Sequence, residues 1–261
     1  MSTPVTILGP SGRMGQALVA AAATRDDVRV AAALDRGDSS LQGKEIAPGV
    51  SVTALIDAAL AAAPVYIDFT TSTATRAVAE VARGRRIAAV IGTTGLDAEA
   101  NAALTALAEV APVVAAPNFS VGVNLMLGLV AQAARALGQS WDAEIVELHH
   151  KAKRDAPSGT ALGIARAIAL ARGQDLTQVG RYSRDGDIGP RVAGEIGALA
   201  VRGGDVVGEH TAYFFGAGER VEISHRATDR AIFAHGALRA AAWVVGKKPG
   251  RYDMLDVLGM R

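Results

Sequence analysis

The chain has 261 residues, half of them hydrophobic but only 4% aromatic, so its cores must be assembled from Ala, Val, Leu and Ile, and its length suits two modest domains. Its 27 basic and 26 acidic residues are interspersed and leave a net charge of +1, which argues against nucleic acid or a membrane surface as a partner. With no cysteine, disulfides, thiolate nucleophiles and Cys-ligated zinc or iron–sulfur sites are excluded.

Val5-Thr-Ile-Leu8 predicts a short buried strand, Gly9-Pro-Ser-Gly-Arg-Met-Gly15 a glycine loop, and 16–23 a helix. Residues 28–34 predict a second strand that ends on Asp35-Arg36. Strand, glycine turn, helix, strand and an acid about twenty residues on form the dinucleotide-binding arrangement, here as Gly-x-x-Gly-x-x-Gly. The glycines let the backbone approach a pyrophosphate, which sits on the helix N-terminus. Asp35 would accept hydrogen bonds from the adenosine ribose hydroxyls. Taken alone, such a loop could be an ordinary tight turn; its place after a strand, with the acid at this distance, carries the reading. The acid favours an unphosphorylated ribose, whereas Arg36 can pair with a 2′-phosphate, so use of both NADH and NADPH is expected. Asp38 would weaken a phosphate site if it lies near.

Further strands follow at Val65-Tyr-Ile-Asp-Phe-Thr70, at Ala88-Ala-Val-Ile91 before Gly92-Thr-Thr-Gly95, and at Val113-Val-Ala-Ala116 before Pro117-Asn-Phe-Ser120. In an open parallel sheet, ligands sit outside the carboxyl ends of the strands, where all these polar turns fall. After Ser120 the pattern changes. It predicts a helix at 123–137, a strand at 143–150, a cationic loop, a helix at 160–172 and a long polar loop at 174–194. Three alternating strands follow at 197–202, 208–215 and 220–226. A final helix at 231–245 is expected to return to the first domain, because nothing else there covers its apolar face. The fold class is α/β. A Rossmann-type parallel-sheet domain is expected over 1–119 with 230–261, and a second α+β domain with a mixed, largely antiparallel sheet over 120–229.

The most specific segment is Glu147-Leu-His-His-Lys-Ala-Lys-Arg-Asp-Ala-Pro-Ser-Gly-Thr160. It reads as strand, cationic loop and helix start, which suits a small dianion and the movement of a proton. His149 and His150 can both serve one pocket only if the strand ends there, since successive strand residues face opposite ways. One end of a small dianion on the helix that starts at Ser158, near the N–H groups of Gly159 and Thr160, and the other near Lys151, Lys153 and Arg154 would be held at two points. Adjacent histidines on a strand chelate one metal poorly, so no metal site is expected. His210, His225 and His235 read as structural. A positioned His or Lys contributes about 10²–10⁴-fold to a proton transfer.

Together, Gly9-Pro-Ser-Gly-Arg-Met-Gly15, Gly92-Thr-Thr-Gly95, Ala116-Pro-Asn-Phe-Ser-Val-Gly-Val-Asn124, the His149-to-Thr160 run and Arg202-Gly-Gly-Asp-Val-Val-Gly-Glu-His210 resemble the dihydrodipicolinate reductase family, in order along essentially the whole chain. The resemblance implies NAD(P)H-dependent reduction of 4-hydroxy-tetrahydrodipicolinate in diaminopimelate and lysine biosynthesis, by a homotetramer assembled through the second domain. It implies that Gly9, Pro10, Ser11, Gly12, Arg13, Met14, Asp35, Arg36, Gly92, Thr93, Thr94, Ala116, Pro117, Asn118 and Phe119 line the cofactor. It further implies that His149 is the proton donor and acceptor, that Lys153 assists it as a cationic acid, and that His150, Gly159 and Thr160 bind substrate beside the helix-start Ser158. Ala152 stands where some relatives carry another imidazole, which makes this loop less basic. Two other readings stay open: another Rossmann reductase of an amino or keto dicarboxylate, aspartate or homoserine dehydrogenase-like, and an NAD(P)-sensing regulator, which would not need His149 and Lys153 beside an anion site. The start Met1-Ser-Thr-Pro-Val-Thr-Ile enters a strand with no basic leader, and the longest apolar stretch, about 121–131, is too short to span a bilayer. A cytoplasmic protein is therefore expected.

Overall fold

The computed structural model describes residues 2–261. The chain first forms β1 (Thr3–Leu8), α1 (Arg13–Ala22), β2 (Val28–Leu34), β3 (Glu45–Ala47), β4 (Val50–Thr53) and α2 (Ile56–Ala61). It continues with β5 (Val65–Asp68), α3 (Ser72–Arg85), β6 (Ala88–Ile91), α4 (Ala98–Ala108) and β7 (Pro112–Ala115). Then come α5 (Val121–Leu137), β8 (Asp142–His149), α6 (Gly159–Ala171), α7 (Leu176–Val179) and β9 (Gly180–Arg181). The strands β10 (Ile196–Arg202), β11 (Gly208–Phe215) and β12 (Arg220–Ala227) precede α8 (Ala231–Val244), β13 (Gly250–Tyr252) and α9 (Met254–Val257). Two compact units result, one of the chain up to Val121 together with Ala231–Arg261, the other Gly122–Arg230.

The first unit holds an eight-stranded sheet in the order β13-β7-β6-β5-β1-β2-β4-β3, parallel except where β3 meets β4. Its central strands are apolar on both faces, as parallel strands covered by helices must be: every residue of β5 and β6 is buried. The chain steps from β1 to β2 on one side and comes back to β5 on the other, so the carboxyl ends of β1 and β5 form the switch point where such sheets bind ligands. One core joins the sheet to α1, α8 and α9 through Leu18, Leu238, Val244 and Met254; a second joins it to α3 and α4 through Val78, Leu104 and Leu107. Each of these large side chains contributes about 1.5–3 kcal/mol by leaving water. The scarcity of aromatics is offset by close approach: a Cβ at Gly236 of α8 would overlap the carbonyl oxygen of Phe119.

Helix α1 starts at Arg13 rather than 16, because the Gly12 carbonyl already accepts the Gln16 N–H at 3.0 Å. Arg13 and Met14 thus belong to its first turn and not to the loop.

The second unit holds a mixed sheet in the order β12-β11-β8-β10-β9, with β8 antiparallel to β11 and parallel to β10. Along β8 every second residue is buried, so Ala143, Ile145, Glu147 and His149 share one face. Helices α5 and α6 cover it with Met126, Val130, Ile164 and Ile168. The polar stretch expected as one loop over 174–194 is interrupted by α7 and β9. Asp175 caps α7 by accepting the Thr177 N–H at 2.9 Å, and Gly180 pairs with Ile196. The rest of that loop is tied to the outer face of the sheet by ion pairs. Arg184 donates to both oxygens of Glu144 at 2.7 and 2.9 Å, and Arg191 reaches Asp142 at 2.9 Å.

Candidate active site

At the carboxyl ends of β1, β2 and β5, a cavity of ≈ 550 Å³ is lined by Gly9, Ser11, Gly12, Asp35, Arg36 and Thr70, among others. Gly9 has φ +65°, a left-handed conformation that favours glycine. Gly15 leaves the loop room, since a Cβ there would overlap the Gly9 carbonyl oxygen and stand 2.6 Å from the Pro10 Cα. Helix α1 has no side-chain cap, unlike α3, α4 and α6, which Thr71, Asp97 and Ser158 cap, and its first turn carries no acid. An uncapped N-terminus behind a loop shaped by missing side chains suits a pyrophosphate. Asp35 accepts from the Ser11 N–H at 3.1 Å, the Arg36 N–H at 2.9 Å and the Ser39 hydroxyl at 3.0 Å. Burial works against its charge, but these hydrogen bonds outweigh it and hold the carboxyl below the usual range. The result is an ionised acceptor beside the loop, suited to a ribose diol. The Arg36 guanidinium lies 3.1 Å from the Asp38 carboxylate, with both side chains exposed.

At the ends of β6 and β7, Thr93, Thr94, Ala116 and Pro117 line a second cavity of ≈ 390 Å³. Buried Asp68 braces this region: its oxygens accept from the Thr70 hydroxyl at 2.6 Å, the Thr75 hydroxyl at 2.7 Å and the Thr93 hydroxyl at 3.1 Å. Gly92 gives room to Phe69, whose ring a Cβ would overlap. Asn118 accepts the Ser120 N–H at 2.8 Å. Phe119 is 1% exposed and packs edge-on against Phe69, and Met14 packs on the same core, so neither lines these cavities. Pro10 is buried and Arg13 is exposed.

In the second unit, β8 ends at His149, which lets the chain turn at His150 and Lys151 toward backbone partners at Val206 and Gly204. Glu147 is fully buried, yet both its oxygens are satisfied. Arg202 donates to each at 2.8 Å, the Ser158 N–H donates at 2.9 Å, and His149 Nδ1 lies 2.5 Å from Oε2. Burial alone would raise this acid; the hydrogen bonds from Arg202, His149 and Ser158 outweigh it and keep the carboxyl below its ordinary value. Ser158 caps α6 by accepting the Ala161 N–H at 3.1 Å and also lies 3.0 Å from His210 Nε2. His210 stands edge-on to His149, with ring centroids 5.2 Å apart. Burial and then the neighbouring His149 push its imidazole down to about 4, so it is neutral at neutral pH. Lys153 pairs with Asp155 at 2.9 Å.

His149 and Ser158 therefore meet around Glu147. Lys153, His150, Gly159 and Thr160 follow on the same loop and helix start. The sequence reading gave no role to Glu147 or Arg202 and read His210 as structural. Strand alternation carries a trace of the first, because Glu147 and His149 are two residues apart and so share a face. Arg202 and His210 bound one of the motifs that carry the family resemblance, but nothing in that motif says that they meet Glu147 and Ser158. Among the described residues, no group of three or more His, Asp or Glu could hold a metal ion, and no helix is long and apolar enough to cross a membrane.

A switch-point sheet with a glycine loop and ribose-type acid, in one chain with a histidine–carboxylate cluster at a helix start, defines a nicotinamide-dependent oxidoreductase. Comparison with known proteins narrows this. The family profile for the N-terminus of dihydrodipicolinate reductase matches residues 3–119, and that for its C-terminus matches 122–258. The chain is 51% identical to the 4-hydroxy-tetrahydrodipicolinate reductase of Thiobacillus denitrificans and 49% identical to that of Alkalilimnicola ehrlichii, in each case over 100% of both chains. A solved structure of dipicolinate-bound dihydrodipicolinate reductase from Paenisporosarcina sp. TG-14 superposes with a TM-score of 0.80 at 26% identity, over 98% of this chain and 99% of that one. The chain belongs to the dihydrodipicolinate reductase family.

Proposed function

We propose that this protein reduces 4-hydroxy-tetrahydrodipicolinate to tetrahydrodipicolinate, with loss of water, in diaminopimelate and lysine biosynthesis. The observation that carries the reading is the contact of His149 with ionised Glu147 beside the Ser158 start of α6, which joins a proton carrier to an anion site. Bound NADH or NADPH supplies the hydride. Gly9, Pro10, Ser11 and Gly12 receive the pyrophosphate with the first turn of α1, supported from the core by Met14, and Asp35 takes the ribose hydroxyls. Gly92, Thr93, Thr94 and Ala116 to Asn118 border the nicotinamide half, with Phe119 behind them. Arg36 admits NADPH, and its pairing with Asp38 leaves NADH at no disadvantage.

His149 gives the proton, and Lys153 assists as a cation. One substrate carboxylate meets the Ser158–Gly159–Thr160 helix start and the other the cations of the loop from His150 to Arg154. Dipicolinate, named with the solved relative, has the same pair of carboxylates flanking a ring nitrogen. The test follows nicotinamide absorbance with freshly generated hydroxy-tetrahydrodipicolinate, and in parallel with oxaloacetate plus ammonia and with aspartate semialdehyde. His149→Gln and Lys153→Ala should each lower kcat at least about tenfold while NADH binding stays nearly intact. Wild-type turnover in either variant, or preference for a keto acid, overturns the reading.

The second unit assembles a homotetramer in this proposal. The outer face of its sheet leaves Val201 and Phe215 exposed, with Tyr213 and Phe215 stacked at 5.7 Å, and no helix of that unit's core covers them. A monomer mass independent of concentration in light scattering overturns the tetramer.

A further inference from the structure

We propose that Glu147 and Arg202 are a buried positioning pair that holds the Nδ1–H of His149, so that Nε2 is the atom that delivers the proton. The inference rests on the proton-donor reading of His149 and adds which nitrogen acts and what aims it.

Two independent observations support it. First, Glu147 is an ionised carboxylate and can only accept, so the hydrogen in its 2.5 Å contact belongs to His149 Nδ1. The carboxylate cannot rotate away. Arg202 holds it at both oxygens, the Ser158 N–H takes a further lone pair, and Arg202 is itself fixed by the carbonyls of Val201 at 2.7 Å and Asp155 at 2.6 Å. Bidentate guanidinium–carboxylate pairing fixes orientation as well as charge. Second, the opposite edge of the imidazole is kept open by a missing side chain. A Cβ at Gly208 would stand 2.9 Å from His149 Nε2 and 3.3 Å from its Cδ2. A ring anchored at Nδ1 and cleared at Nε2 has one nitrogen to offer.

In the transfer the Nε2–H bond breaks, its electron pair stays on the ring, and the proton passes to the substrate. The imidazole is left neutral with Nδ1–H still on Glu147, which remains ionised throughout. Solvent returns a proton to Nε2 before the next turnover. Glu147 and Arg202 exchange no proton with the substrate; they act through His149.

The test reads tautomer and rate separately in the full-length protein. Imidazole nitrogen–proton correlation NMR, with the His149 signals assigned by their loss in His149→Gln, should show protonated Nδ1 in a strong hydrogen bond. Glu147→Gln should lose that signature and lower kcat about 10²-fold or more, with KM for NADH changed little. Gly208→Ala should keep the Nδ1–H signature and lower kcat about tenfold by crowding Nε2. If Glu147→Gln does not fold, Arg202→Met decides: kcat should fall about tenfold, and Arg202→Lys should recover part of it. A Glu147→Gln enzyme with wild-type kcat or an unchanged tautomer overturns the proposal, as does an Arg202→Met enzyme with wild-type kcat. If His149→Gln itself turns over normally, the donor reading fails instead.

Discussion

The two sheets build their functional ends by opposite means. In the first unit the site is made of space and backbone. Gly15 admits the loop carbonyl, Gly92 admits the Phe69 ring, and the start of α1 is left uncapped. In the second unit the site is made of side chains, with Glu147, Arg202, His149, His210 and Ser158 joined by hydrogen bonds and ring contact in a buried patch. The difference teaches where each is vulnerable. A backbone-lined site tolerates changes of polarity but not added atoms. A network of buried ionisable groups is most sensitive to a change in protonation or to the loss of one partner.

The largest expected effect attacks the space in the first unit. In Gly15→Ala the new Cβ meets the Gly9–Pro10 backbone, so the loop must move, at a cost of about 3 kcal/mol. NADH affinity in calorimetric titration should fall about a hundredfold. Gly12→Ala, whose Cβ would stand 3.3 Å from the Gly9 oxygen, should lose roughly tenfold or less. Unchanged affinity in Gly15→Ala would remove the contrast between the two sites.

The next attacks protonation in the second unit. The unfolded His210 imidazole takes a proton near 6.5 and the folded one only near 4, so between these values the unfolded state binds more protons. Stability is therefore full above about pH 6.5 and is lost as pH falls toward 4, by up to about 2–3 kcal/mol. Thermal unfolding of the wild type and of His210→Gln across this window should show a shallower decline in the variant. Parallel curves would mean that His210 does not carry the pH dependence.

The smallest effect sharpens the comparison at an exposed charge pair beside the first cavity. Arg36→Ala should weaken NADPH selectively, and Asp38→Asn should improve kcat/KM for NADPH up to about fivefold, as an exposed pair worth up to about 1 kcal/mol allows. Equal loss of both coenzymes in Arg36→Ala would show that Arg36 only supports the turn.

What the sequence by itself determined were features set within a few residues of chain. The glycine loop announces the β1–α1 turn because Gly9 needs a left-handed φ, and Ser158 announces α6 because its hydroxyl takes an N–H three residues on. The carboxyl-end turns of the parallel strands were legible for the same reason, as was the end of β8 at the paired histidines. The polar stretch over 174–194 was misread because its one-turn helix and two-residue strand are too short for any periodicity to mark. Tertiary structure alone decided the partners. Arg202 reaches Glu147 across 55 positions, and His210 reaches Ser158 across 52, because β10 and β11 flank β8 in the sheet. Alternation along a strand says which face a residue occupies; only strand order and register say which residue stands beside it, and they are fixed by pairing between segments far apart in the chain.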